Sequence, residues 1–150
     1  MRLATFSDYS LRMLLYVAGA PDGRATIREV ARAFDVSEHH LVKVAHFLGQ
    51  EGLLANTRGR HGGLRLARAA RDINLAMVVR AAEGGDLLAE CFEPESSRCA
   101  IAGRCRLQRA LREAMEGFYS VLARYTLEDL RLAPRLHGRL VRMSLAQRAA

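Results

Sequence analysis

Two short amphipathic segments joined by a turn of about three residues constrain this chain more than any other feature. Thr26-Ile-Arg-Glu29 is a capping box: the Thr26 hydroxyl accepts from a first-turn N–H while Glu29 reaches back. It opens a helix over Ile27–Phe34 with Ile27, Val30, Ala31 and Phe34 on one face. Asp35-Val36 then turns the chain, and Ser37 caps a helix running to about Gln50, with Leu41, Val44, Ala45 and Leu48 as its apolar stripe. Gly52, tolerant of a left-handed conformation, ends it. Two helices so joined make a helix-turn-helix unit. The second helix of such a unit carries its early residues to base edges in the major groove. Ser37, His39, His40 and Lys43 occupy that early polar face and are the candidate DNA contacts, although an ordinary solvated face has the same pattern.

The flanking segments fit the same architecture. A helix over about Asp8–Ala20 places Leu11, Leu14, Leu15 and Ala18 together and ends in the turn Gly19-Ala-Pro-Asp-Gly23. Residues 53–66 read as extended, with Leu64 and Leu66 alternating with Arg65 around a glycine-rich Arg58-Gly-Arg-His-Gly-Gly63 tip. A basic hairpin directly after a helix-turn-helix is a wing. Arg58, Arg60 and Arg65 there suit phosphates or a narrow minor groove. The charge agrees. The chain is +7 overall, and residues 1–80 hold 12 Lys/Arg against 7 acids. Residues 81–130 hold 6 against 9, and residues 131–150 hold 5 Arg and no acid. A basic N-terminal half points to a polyanion, double-stranded DNA above all.

Beyond the wing, Asp72 or Asn74 caps a helix to about Glu83, and Gly84-Gly85 breaks it. From Leu107 the residues Leu107, Leu111, Ala114, Phe118, Val121 and Tyr125 recur in steps of 4, 3, 4, 3 and 4, a heptad seam suited to a partner helix. Met115 and Leu122 widen the stripe enough to cover the chain's own head as well. Thr126-Leu-Glu-Asp-Leu130 is expected to begin a short last helix, and the Arg-rich tail after Pro134 to be loosely held. The fold class is therefore mainly α. Residues 1–80 are a winged helix-turn-helix domain with a small β-hairpin, 81–130 a cysteine loop and long dimerisation helix, and 131–150 a basic, flexible tail.

The three cysteines are an odd number, so a closed intrachain disulfide framework is excluded. No signal-peptide pattern opens the chain, and the apolar run Met13–Ala20 is too short to cross a bilayer, so a cytoplasmic protein away from membranes is expected. In a reducing compartment, clustered thiols favour a metal or cluster site. Cys91, Cys99 and Cys105 form C-x7-C-x5-C, too wide for a zinc knuckle and unlike a ferredoxin run. Three thiolates leave one position of a tetrahedral sulfur site for a further ligand. No nucleophile elbow, H-E-x-x-H or phosphate-binding glycine motif is present, which argues against an enzyme. The chain has 6% aromatic residues and no Trp, so a base-stacking platform is not expected.

Taken in order, Thr5-Phe-Ser-Asp-Tyr-Ser-Leu-Arg12, Ser37-Glu-His-His-Leu-Val-Lys-Val44, Arg58-Gly-Arg-His-Gly-Gly-Leu-Arg-Leu66, Cys105-Arg-Leu107 and Tyr125-Thr-Leu-Glu-Asp-Leu130 resemble the bacterial winged-helix iron–sulfur regulators, in their nitric-oxide-sensing repressor branch. The resemblance covers about residues 1–130. It implies a homodimer in which the long helices cross, bound to operator DNA. It implies a [4Fe–4S] cluster on Cys91, Cys99 and Cys105, with Asp8 of the partner subunit completing the set. By position Asp8 also suits an N-cap of the first helix. Nitric oxide is the implied signal, attack on the cluster lowering operator affinity. A sister branch uses a histidine three residues after the last cysteine; Gln108 stands there here, which argues against that branch's [2Fe–2S] site. Two alternatives remain at this stage: a regulator of the same fold that senses iron or cluster supply, and an iron–sulfur electron-transfer or cluster-delivery protein.

Overall fold

A computed structural model describes residues 3–57, 62–85, 92, 99–101 and 104–146, the last four of these by backbone alone. Helix α1 spans Thr5–Gly19, α2 Ile27–Phe34 and α3 Glu38–Gln50. Strands β1 (Leu54–Thr57) and β2 (Gly63–Leu66) follow, then a single 3-10 turn at Ala70–Asp72 and α4 over Leu75–Ala82. Helices α5 (Arg106–Leu122) and α6 (Pro134–Ala146) complete the described elements.

The turn between α2 and α3 is tight because Asp35 adopts the left-handed conformation at φ 52°, which lets the Val36 N–H reach the Ala31 carbonyl at 2.9 Å. The capping box forms as the sequence predicts: the Thr26 N–H donates to Glu29 Oε2 at 2.6 Å, and the Glu29 N–H to Thr26 Oγ1 at 3.2 Å. β1 and β2 pair antiparallel with Leu54 opposite Leu66 and Thr57 opposite Gly63. A short bridge adds Ala25 to the other edge of β2, the Leu64 N–H donating to Ala25 O at 2.6 Å. Gly63 permits that approach, since a Cβ there would lie 2.8 Å from the Ala25 carbonyl oxygen. The root of the wing is thus bonded to the residue just before the positioning helix.

One core unites Met13, Leu14 and Val17 of α1, Val30 of α2, Leu41, Val44 and Leu48 of α3, Leu64, Ile73, Val78 and Leu127. Each is almost wholly removed from water, at about 1.5–3 kcal/mol per large aliphatic side chain. Asn74, not Asp72, caps α4: its Oδ1 accepts from the Ala76 and Met77 N–H groups, and its Nδ2 donates to the Ala123 carbonyl at 2.8 Å. The start of α4 is so tied to the end of α5. A second cluster, Val79 with Met115 and Tyr119, seats α5 on the head.

Three expectations are corrected. α1 begins at Thr5, three residues before Asp8, so Asp8 lies within its first turns and is not the N-cap. Residues 126–130 form a turn instead of opening a helix; Asp129 Oδ2 accepts from both the N–H and the hydroxyl of Thr126 at 2.7 Å, which closes the turn on itself. The tail expected to be loose is helix α6 over residues 134–146. Pro134 suits its first position, and its Leu140 and Val141 pack against the core.

Candidate nucleic-acid interface and cysteine loop

The early face of α3 is open. Ser37, His39, His40 and Lys43 are all exposed, while Leu41, Val44, Ala45 and Leu48 are sunk in the core, so rigid packing holds that polar face outward. Ser37 stands at the N-cap and its carbonyl accepts from the His40 and Leu41 N–H groups at 3.1 and 3.2 Å. An ion pair between Arg28 Nε and Glu38 Oε1 at 3.4 Å links α2 to the first turn of α3. Sequence reading passed over Val42, which is 52% exposed on the same helix between His40 and Lys43. Its signal was an apolar residue outside the apolar stripe, and such a side chain suits a thymine methyl.

The wing is partly described. Arg65 projects from β2 and is exposed, with its Nη1 3.5 Å from the Asp22 carbonyl, toward the turn before α2. Arg58 and Arg60 lie outside the described residues. Arg68 closes the end of α3, its Nε donating to the Gly52 carbonyl at 3.0 Å.

Of the three cysteines, Cys91 lies outside the described residues. Cys99 is exposed and Cys105 half-buried, both as thiols. Cys105 is the N-cap of α5, where the exposed N–H groups of a helix end favour negative charge such as a thiolate-ligated centre carries. Thiols so placed fit the sulfur ligands of an iron–sulfur cluster. Among the described residues, no group of three or more His, Cys, Asp and Glu side chains gathers as a metal site within one chain. Asp8 is half-exposed on α1, gripped by Arg12: Nε to Oδ1 at 2.9 Å and Nη2 to Oδ2 at 2.9 Å. The same guanidinium lies 5.7 Å over the ring of Phe34 at the end of α2. Two residues before Asp8, Phe6 meets Phe47 of α3 edge to face at 5.1 Å. Ser7 donates to Glu83 beyond α4 at 2.5 Å. Asp8 therefore sits on a turn of helix locked at once to α2, α3 and the end of α4.

Helix α5 divides its apolar stripe. Met115 and Tyr119 face inward, with the Arg80 guanidinium 4.3 Å over the Tyr119 ring. Leu107, Val121 and Tyr125 of the predicted seam remain 65%, 48% and 44% exposed.

A helix-turn-helix with a two-stranded wing and an open, histidine- and lysine-bearing recognition helix defines a DNA-binding transcriptional regulator. Residues 3–132 match the Rrf2 family model, described as iron-dependent transcriptional regulator, and the chain belongs to that family. It is 43% identical over 131 residues to the HTH-type transcriptional regulator NsrR of Halalkalibacterium halodurans, covering 87% of this chain and 90% of that one. Among solved structures it is similar to CymR, the global cysteine regulator of B. subtilis, with a TM-score of 0.65 and 27% identity over 87% of this chain and 95% of that one. The fold is also that of T. potens IscR, with a TM-score of 0.68 and 22% identity, covering 87% and 85% of the two chains. Relatives of this kind are regulators and not enzymes, which decides against the electron-transfer and cluster-delivery alternative. Among the described residues no helix is long and apolar enough to cross a membrane.

Proposed function

We propose that the chain is a homodimeric, cytoplasmic repressor whose grip on operator DNA is set by an iron–sulfur cluster, with nitric oxide as the signal. The observation that carries this reading is the placement of Asp8. The one acidic residue that the resemblance assigns to the cluster stands on the helical turn that packs against the recognition helix through Phe6 and Phe47. Cys91, Cys99 and Cys105 of one protomer, with Asp8 of the partner subunit, would hold a [4Fe–4S] cluster. When bound, the cluster supplies nitric-oxide-reactive iron.

The chain's own residues do the rest. Asp8 must leave Arg12 to serve another partner, which frees a guanidinium resting on Phe34 of α2. Because α1 is locked to α2 and α3, such a change is passed to the reading head as a shift of packed side chains. The exposed Leu107, Val121 and Tyr125 stripe on α5 gives a second copy an apolar face to cover. Two reading heads then meet half-sites about one helical turn, or roughly 34–36 Å, apart. Ser37, His39, His40 and Lys43, with Val42 among them, face the major groove. Arg58, Arg60 and Arg65 of the wing face the backbone or minor groove.

The test is operator binding by the anaerobically reconstituted protein, before and after nitric oxide, beside Cys91→Ala, Cys99→Ala and Cys105→Ala. Each variant is expected to lose the visible iron–sulfur absorption, stay dimeric by light scattering, and bind operator on the order of a hundredfold more weakly, the upper range of such coupling. Full operator affinity in a variant without cluster would overturn the gating. Loss of affinity on iron removal but not with nitric oxide would turn the reading toward a sensor of iron or cluster supply.

A further inference from the structure

On the side of the head remote from α5, helix α6 roofs a cavity of about 890 Å³ whose other walls are the last turns of α1, the turn after it and the start of α2. His137 projects into it from α6. The side chain is 4% exposed, yet its Nε2 is buried without a hydrogen-bond partner. Buried polar nitrogens are ordinarily satisfied, so this one is a vacancy for a donor or acceptor from outside the chain. The ring is held in place from two sides. It lies 4.7 Å from the ring of Tyr16, and a Cβ at Gly19 would come within 3.0 Å of it. Gly19 is therefore the residue that lets the imidazole enter.

The charges around the cavity lean positive. Arg24, Arg131 and Arg142 line it, against the carboxylates of Asp22 and Glu29. Glu29 is already engaged in the capping box of α2, and Arg131 Nε donates to the Ala18 carbonyl at 2.8 Å. Arg142 makes no ion pair among the described residues, and its Nη1 lies beside Gly138 at the cavity edge, 3.6 Å from where a Cβ would stand. Leu132, Pro21 and Val141 supply apolar wall. Burial, and secondarily the Glu29 carboxylate, push the Tyr16 phenol above its ordinary range, so it presents a neutral ring and not a second anion. An occupant must offer an oxyanion to His137 and the arginines and an apolar body to the wall.

We infer that the cavity between α1, α2 and α6 binds a small organic anion, a carboxylate on a compact apolar body, with His137 Nε2 donating to the carboxylate and Arg142 supplying charge. His137, Val141 and Arg142 lie beyond residue 132, outside the part of the chain that matches the family model. The site therefore belongs to this chain's own C-terminal helix, separate from both the DNA face and the cysteine loop.

Equilibrium dialysis of the full chain against radiolabelled sodium benzoate, at fixed ionic strength, tests it. One equivalent per chain is expected to bind, with half-saturation at about 1 mM or below, the range open to a ligand of that size. Inorganic phosphate, an oxyanion without the body, is expected to compete at least about tenfold more weakly; equal competition would overturn the organic ligand. His137→Phe fills the ring's place without the nitrogen and is expected to abolish binding. Arg142→Glu alters an exposed side chain, leaves folding intact by circular dichroism and is expected to weaken binding about tenfold. Absent or non-saturating benzoate binding, or unchanged affinity in a folded Arg142→Glu variant, would overturn the proposal. So would displacement of benzoate by short non-operator duplex, which would assign the cavity to a DNA phosphate.

Discussion

Asp8→Ala and Arg12→Ala separate a cluster ligand from an ion-pair partner. The two side chains are joined at 2.9 Å by both oxygens, but they are 41% and 43% exposed, so solvent screens the pair. An exposed i,i+4 pair is worth about 0.3–0.5 kcal/mol. A carboxylate in the first turns adds about 0.3–1 kcal/mol from the helix dipole. Asp8→Ala should therefore cost about 1 kcal/mol in the cluster-free protein, or a fall of roughly 2–4 °C in Tm for a chain of this size. Arg12→Ala loses the same pair and a cation–π contact over Phe34 at 5.7 Å, worth about 0.5–1 kcal/mol, so it costs about as much. Stability does not tell the two apart, but the cluster should. In reconstituted protein challenged with a chelator, Asp8→Ala is expected to lose visible absorption at least on the order of tenfold faster, the lower range for disturbing a metal's ligand environment. Arg12→Ala should stay within about twofold, because the carboxylate remains. Equal acceleration in both variants would show that Asp8 acts through its ion pair. No acceleration in Asp8→Ala would remove it from the ligand set.

Lys43→Ala should weaken operator binding and lower its salt slope by about one for each phosphate contact removed; an unchanged slope would take Lys43 off the backbone. Leu107→Glu combined with Val121→Glu, on the exposed stripe of α5, should yield monomers by light scattering with unchanged far-ultraviolet circular dichroism, since neither side chain serves the chain's own core. Tyr16 is pushed above its ordinary value of 10.0 by burial first and Glu29 second, so its stabilisation is complete below pH 10.0 and is lost as pH rises through the folded value. Alkaline titration of phenolate absorbance should show one of the four tyrosines ionising last, together with unfolding; ordinary titration of all four would contradict the burial.

The helix-turn-helix was readable because each device in it is local. Thr26 and Glu29 are three residues apart, and the stripe of α3 repeats within thirteen residues. The start of α1 was not, because what holds it lies far along the chain: Ser7 bonds to Glu83 and Phe6 packs on Phe47. A local rule therefore placed the cap at Asp8. Helix α6 was hidden differently. Its arginines suggest a solvated tail, yet His137, Leu140 and Val141 recur at helical spacing and turn inward. The seam of α5 shows a third limit. Apolar periodicity does not say whose surface a residue will cover, and only packing divides Met115 and Tyr119, turned to their own head, from Leu107 and Val121.

That division bears on how a change at the cysteines would reach DNA. Cys105 caps α5, but α5 meets the head through Val79 of α4 and Leu11 of α1, and α3 is not among its contacts in that cluster. A displacement of α5 must pass through a second helix to reach Lys43. Helix α1 needs no intermediary: Phe6 touches α3, Arg12 touches α2 and Asp8 lies between them in sequence. Close-packed aromatic contacts of this kind switch between arrangements and do not deform smoothly. The bistable element in the proposed mechanism is then α1 more than α5, with the Phe6–Phe47 contact as its step toward the recognition helix. Phe47→Leu keeps an apolar side chain but removes the edge-to-face fit, so it should lower the ratio of operator affinities with and without cluster while leaving the cluster's absorption in place.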